Sequence, residues 1–318
     1  MANVVPFVLA LVSAGTVLTA QSPVERDSAG IRIIENPSRA AAPVVFRLGE
    51  PVLDLGGPAE NPDVELKQGR GSGALTPPGG LRLSDGTVAV PDAVRIQLFD
   101  ARGRRAGMFG MFGAGPAEFR SLGPAEFCRT RGDTLIAGDY RNGRFAVIHG
   151  QSVVRTSAYS AQFGGGLAGC FDDGTILMKG GLPNFRTPTY TVRLNRLRLD
   201  GTLANDLGAE RALNTQSPAF REMARGWQPD TYPAYFTVLV DPDGRLWVQD
   251  GSPRRTDRDG WTAFDSNGRL IGRLELPRMI GQRPAAVVNF GVNEVQVRQQ
   301  DADGFYHLVF YPIQSVQR

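Results

Sequence analysis

The chain is short of the residues that build most metal and redox centres. It has two Cys, two His and only two Lys, Lys67 and Lys179, among 318 residues. Two Cys and two His are too few for a disulfide framework or a zinc site of ordinary ligand count. Basic charge is almost wholly Arg, and these residues are scattered along the chain rather than gathered in runs. A nucleic-acid groove normally shows a basic stripe or cluster. The net charge of +3 therefore reads as an Arg-rich surface, and no nucleic-acid partner is expected. Charged residues are also missing at the start, where the first is Glu25.

That uncharged start, VVPFVLALVSAGTVLTA, resembles the apolar core of a secretory signal and ends in small residues. It is shorter than a comfortable membrane span. Residues 1–20 are expected to be a signal peptide, and 21–318 a single exported domain, periplasmic or extracellular. Contact with a membrane is expected only through an uncleaved signal. What is abundant is Gly and Pro, 39 and 22 residues. That suits many short strands joined by tight turns and excludes a helix bundle.

A strand–turn–strand unit recurs. It reads GLRLSDGTVAVPD at 80–92, FCRTRGDTLIAGD at 127–139, AGCFDDGTILMKG at 168–180 and TVLVDPDGRLWVQD at 237–250. A weaker copy, VVNFGVNEVQVRQ, lies at 287–299. In the four clear copies an Asp-Gly-type turn joins two alternating apolar runs, a strong hairpin signal. A second strand–turn–strand piece follows each of these, for example RIQLFDARGRRAGMFG at 95–110 and GWTAFDSNGRLIGRLELP at 260–277. Four antiparallel strands per repeat make one blade of a β-propeller.

The turn positions Gly86, Gly132, Gly174, Gly244 and Val292 are spaced by 46, 42, 70 and 48 residues. Three spacings fit common blades of roughly 40–50 residues. The long one reads as a blade plus an insertion of about 25 residues, with a short helix over SPAFREMARG at 217–226. Five blades are readable. A sixth would have to be a degenerate one assembled from 208–232. The last unit ends after its third strand, so an N-terminal strand, from 30–37 or 44–56, is expected to complete it and close the ring.

The stretches RDSAGIRIIENP, FGMFGAGPAEF, GDTLIAGDYRNGRFAV and DPDGRLWVQDG resemble the secreted bacterial six-bladed β-propeller proteins related to the NHL-repeat group. The resemblance spans nearly the whole mature chain and implies an exported propeller, commonly without an assigned activity. One blade of that pattern is missing here.

Candidate ligand-binding residues are Asp92, Asp139 and Asp250, which end the second strands of their blades, with Asn142 and Arg144 beside Asp139. Asp and Asn in such places commonly cap turns; the functional alternative is a rim that holds a ligand or a calcium ion. The Gly-rich loop 113–119 lacks the Lys and the following helix of a phosphate cradle and reads as a crossover between blades. Asp172 and Asp173 share one turn and make no acid–base pair. His149 and His307 fall on third strands, away from the channel, with no catalytic residue assigned to either. Cys128 and Cys170 occupy equivalent positions of neighbouring blades. A disulfide between them is conceivable in an oxidising compartment, but two buried thiols are expected, because such positions usually lie beyond the reach of a bridge. Trp227, Trp247 and Trp261 read as packing between blades. The function expected is a monomeric binding or scaffold module for a peptide, glycan or protein. The alternative is a calcium-dependent propeller hydrolase or lactonase.

Overall fold

A computed structural model describes residues 23–38, 42–56, 66, 69–70, 75–76, 79–92, 94–122, 127–158, 166–180, 189–213, 235–250, 258–277, 279–280 and 283–317. Among these the chain builds five antiparallel four-stranded units, each read from an innermost strand outward. The first runs through Leu81–Arg82, Val88–Asp92, Arg95–Phe99 and Arg105–Phe109. The second uses Phe127–Arg129, Leu135–Asp139, Arg144–His149 and Ser152–Ala158. The third uses Gly166–Cys170, Ile176–Gly180, Thr189–Leu197 and Leu203–Leu213, and the fourth Tyr235–Val240, Leu246–Asp250, Arg258–Phe264 and Leu270–Pro277. The fifth takes Arg283–Gly291, Glu294–Gln300 and Tyr306–Gln317 from the end of the chain. The fold is a β-propeller.

The turns explain why each unit folds locally. In the first, third and fourth blades an Asp-Gly pair closes the first hairpin, with Gly86, Gly174 and Gly244 at positive φ. At these angles an L side chain is strained and Gly is not. In the fifth blade Asn293 adopts the same left-handed conformation, φ 53°, as Asn tolerates better than most residues. The weak sequence copy is therefore a regular hairpin.

The N-terminal segment closes the ring. Leu53–Gly56 pairs antiparallel with Phe310 to His307 and becomes the fourth strand of the fifth blade. Val44–Leu48 pairs with the far half of the last strand and runs parallel to the outer strand of the fourth blade. One continuous sheet thus knits the two ends of the chain together and leaves fewer open edges there. His307 lies in this seam, 7% exposed. Its Nδ1 is 2.9 Å from Asp54 of the closing strand and its Nε2 is 3.3 Å from Asp301. The other candidate strand, Ile31–Glu35, forms a separate hairpin with Val24–Ser28. That hairpin docks on the fourth blade, where Asn36 bonds Gly268 O and Leu270 N.

Apolar clusters fill the seams between blades. Leu98, Phe119, Leu135 and Ile148 lie between the first and second, and Phe145, Ile176, Met178 and Leu197 between the second and third. Leu55, Val90, Phe99 and Phe310 join the first to the fifth. Between the fourth and fifth, Phe290 stacks on Trp247 at 4.2 Å and meets Trp261 edge-on at 5.2 Å. These two tryptophans pack between blades, as their sequence setting suggests; Trp227 lies outside the described residues.

Two expectations need correction or division. Cys128 and Cys170 are bonded to each other, with their Cα atoms 5.7 Å apart, rather than being two thiols. Blades converge toward the channel, so innermost strands approach more closely than equivalent positions farther out. The long spacing between the third and fourth repeats belongs in part to the outer hairpin of the third blade, whose strands Thr189–Leu197 and Leu203–Leu213 are the longest consecutive pair before the fifth blade. Residues 208–213 therefore extend the third blade rather than start a sixth. The expected helix at 217–226 and the rest of that insertion lie outside the described residues, as does the signal segment 1–20.

Candidate functional site

The ring has two rims. On one, the first hairpin of each blade turns. On the other, the second strands end and the chain crosses into the next blade. The sequence candidates all sit on this crossover rim, because each ends a second strand or follows one.

Asp139 is fully buried. It accepts hydrogen bonds from the backbone N–H groups of Arg120 and Ser121 at 3.2 and 3.1 Å and from Asn142 Nδ2 at 2.6 Å. Asn142 also donates to Gly113 O. The Arg144 guanidinium donates to the carbonyls of Ala114, Gly115 and Glu118. The three side chains act on one object, the crossover 113–121. Glu118 turns back to accept from Gly115 N. The Gly-rich loop is thus gripped by protein donors along its carbonyls, and a phosphate cradle would present N–H groups instead.

Asp92 is 1% exposed and accepts from Arg95 Nε at 2.9 Å and Gln97 Nε2 at 2.8 Å. Asp250 accepts from Thr262 Oγ1 at 2.9 Å, with Arg273 Nη2 at 3.4 Å. The repeat therefore reuses one device: a carboxylate at the end of the second strand bonds the third strand or the neighbouring crossover. These bonds hold each carboxylate within its own part of the ring. Among the described residues no three His, Cys, Asp or Glu side chains gather as metal ligands. His149, at the end of its strand, is exposed.

The turn rim carries a chain of ion pairs that crosses seams. Arg82 of the first blade pairs with Glu294 of the fifth at 2.9 Å and lies over the Phe310 ring. Arg129 of the second blade donates to Arg82 O and pairs with Asp133. Asp133 in turn accepts from Ser84 of the first blade. Asp173 is held by Thr175 and Arg196, and their hydrogen bonds lower its carboxyl to about pKa 2. Asp241 is buried and accepts from Arg245 Nε and Trp247 Nε1. All these groups are paired and hold the rim together.

A feature that the sequence reading missed lies back on the crossover rim, where the fifth blade meets the first. A recess of about 110 Å³ is lined by Ala285, Ala286, Arg298, Gln300 and Tyr306. Ala286 pairs with Arg298 and Gln300 with Tyr306 across adjacent strands, so these four side chains share one face of the sheet. Arg298 is partly buried and has neither an ion pair nor a hydrogen bond among the described residues. Burial pushes its guanidinium below its ordinary value, while Tyr306 acts the other way. The available sequence signal was an Arg on the second strand of its blade, at a register where the first and second blades have Pro91 and Gly138.

The arrangement defines a class: a propeller of five four-stranded blades among the described residues, closed by its own N-terminal strands. No known protein-family profile matches the chain, and no curated protein does. Among solved structures, a member of the DUF4221 family from Bacteroides vulgatus aligns over 86% of this chain and 99% of its own, at 8% identity and a TM-score of 0.44. A gluconolactonase from Xanthomonas campestris aligns over 85% and 98%, at 12% identity and a TM-score of 0.40. For a virginiamycin B lyase from Staphylococcus aureus the values are 73% and 65%, 11% and 0.31. The chain thus spans just under two thirds of that lyase. Similarity this low bears on nothing beyond the fold, which the strand order already defines.

Proposed function

We propose that this protein is an exported binding module, a rigid ring that holds a peptide, glycan or protein ligand at its crossover rim. The observation that carries the reading is the engagement of Asp139, Asn142 and Arg144. Their hydrogen bonds fix the crossover between the first two blades, which makes the rim a preorganised frame. Preorganised frames bind without the cost of ordering loops. The ring closure and the bridge between the second and third blades support the same rigidity. The disulfide also favours an oxidising compartment, in keeping with export. The motifs shared with secreted six-bladed β-propeller proteins point the same way.

The rival is a calcium-dependent hydrolase or lactonase, and one experiment separates the two. The purified protein is applied to peptide and glycan arrays, and assayed against ester and lactone substrates with and without calcium. The binding reading expects a retained ligand whose affinity falls when rim side chains are substituted, and no turnover. Calcium-dependent turnover abolished by Asp92→Asn or Asp250→Asn would overturn it.

A further inference from the structure

The recess on the fifth blade holds a cation that has no counter-charge among the described residues. Nearly every other Arg with a role on either rim has a named partner: Arg82 has Glu294, Arg95 has Asp92, Arg129 has Asp133, Arg196 has Asp173, Arg245 has Asp241 and Arg273 has Asp250. Arg298 departs from this pattern among the described residues. A partly buried charge with no partner is unfavourable, and the cost is relieved when an anion enters. The guanidinium presents a planar fork of donors that matches a carboxylate.

The walls narrow the choice of anion. One guanidinium supplies a single positive charge, which balances a carboxylate and leaves a phosphate dianion half-compensated. The Ala286 side chain gives an apolar wall for the carbon next to the carboxyl group. Gln300 donates through Nε2 to Gly304 O, so its amide is already oriented. The volume of about 110 Å³ admits a small carboxylate group.

We infer that this recess is a subsite for a small carboxylate group, with Arg298 as its binding residue and Tyr306 and Gln300 as its walls. The inference deepens the binding-module reading and rests on it: it names the chemistry that part of the rim's ligand carries.

The test uses acetate as the probe, acetamide as its neutral counterpart of the same shape, and inorganic phosphate, all at constant ionic strength set with chloride. The thermal midpoint of the purified protein is followed against probe concentration. Acetate is expected to raise the midpoint saturably, with an affinity on the order of millimolar for so few atoms. Acetamide is expected to leave it unchanged. Arg298→Gln is expected to weaken acetate at least about tenfold. Since that variant removes a buried charge and can shift stability by itself, Gln300→Glu serves as a second. It places a carboxylate beside Arg298 and is expected to abolish the acetate response while the protein keeps or gains stability. An acetate response equal to that of acetamide, or one that survives Arg298→Gln, overturns the subsite. Tighter binding of phosphate through Arg298 overturns the carboxylate assignment. Should an array ligand bind with undiminished affinity to Arg298→Gln, the binding module stands and the subsite falls.

Discussion

Two seams of the ring are held by different physics. Between the second and third blades the cluster is of moderate size, and a covalent bridge, Cys128–Cys170, joins the innermost strands at the channel. Between the fourth and fifth blades there is no cysteine. That seam holds the Trp247–Phe290–Trp261 stack, and Val44–Leu48 is laced between the outer strand of one blade and the last strand of the other. The difference follows from chain order. The second and third blades are consecutive and stay close in any partly folded state. The fourth and fifth are consecutive too, but their seam must also capture a strand from the opposite end of the chain. A large aromatic cluster and long β-pairing reward that distant closure.

The heaviest blow to the comparison is removal of the closing strands. A chain starting at residue 57 leaves the last strand without its partners at both Leu53–Gly56 and Val44–Leu48. It is expected to lose cooperative thermal unfolding and to bind an apolar dye. A sharp transition within a few degrees of the parent would show that the ring holds without its clasp. Next in size is Phe290→Ala. The side chain is 1% exposed and touches both tryptophans, so a loss of about 3–5 kcal/mol is expected in denaturant titrations. Then comes the disulfide. Replacing both cysteines by Ala frees a loop of 42 residues and is expected to cost about 2–4 kcal/mol. The order itself is the test of the comparison. If the double Cys variant proves the more damaging of the two, the covalent seam is the one that holds the ring.

The sequence made the repeat legible because Asp-Gly turns demand a backbone that few residues accept, and the same demand recurs in blade after blade. Ring closure by an N-terminal strand was legible from arithmetic, because the last unit lacked a strand and the N-terminus had some to spare; the choice of 44–56 over 30–37 came from the pairing itself. The carboxylate at the end of each second strand was visible as a position, and its partners were not. Asp139 bonds the backbone of Arg120 and Ser121, and backbone donors leave no mark in sequence. The disulfide was misjudged because spacing gives equivalence between blades but no measure of how far they converge at the channel. Arg298 was hidden for the opposite reason. It is one of 33 Arg residues, and only the lack of a partner among the described residues sets it apart.

The smallest expected effect concerns the N-terminal hairpin, which sits on the fourth blade beside the closed seam. Glu25 accepts hydrogen bonds from Arg32 of its own hairpin and from Arg269 of the blade. These bonds lower its carboxyl from 4.5 to about 2. A carboxyl whose folded value lies below its unfolded one favours docking wherever the unfolded form is ionised. The contribution is therefore complete above about pH 4.5 and fades as pH falls toward 2. Because Glu25 is exposed to solvent, salt screens it and the effect on global stability is small. The readout should be local. Limited proteolysis at acid pH is expected to release the segment before Asn36 while the blades stay intact, and added salt should hasten the release at neutral pH. Glu25→Gln should make the release independent of pH between 2 and 4.5. A hairpin that stays protected throughout would mean that Asn36, through its bonds to Gly268 and Leu270, holds it alone. The clasp and the hairpin would then be separable devices, the first closing the ring by strand pairing and the second resting on it by a single side chain.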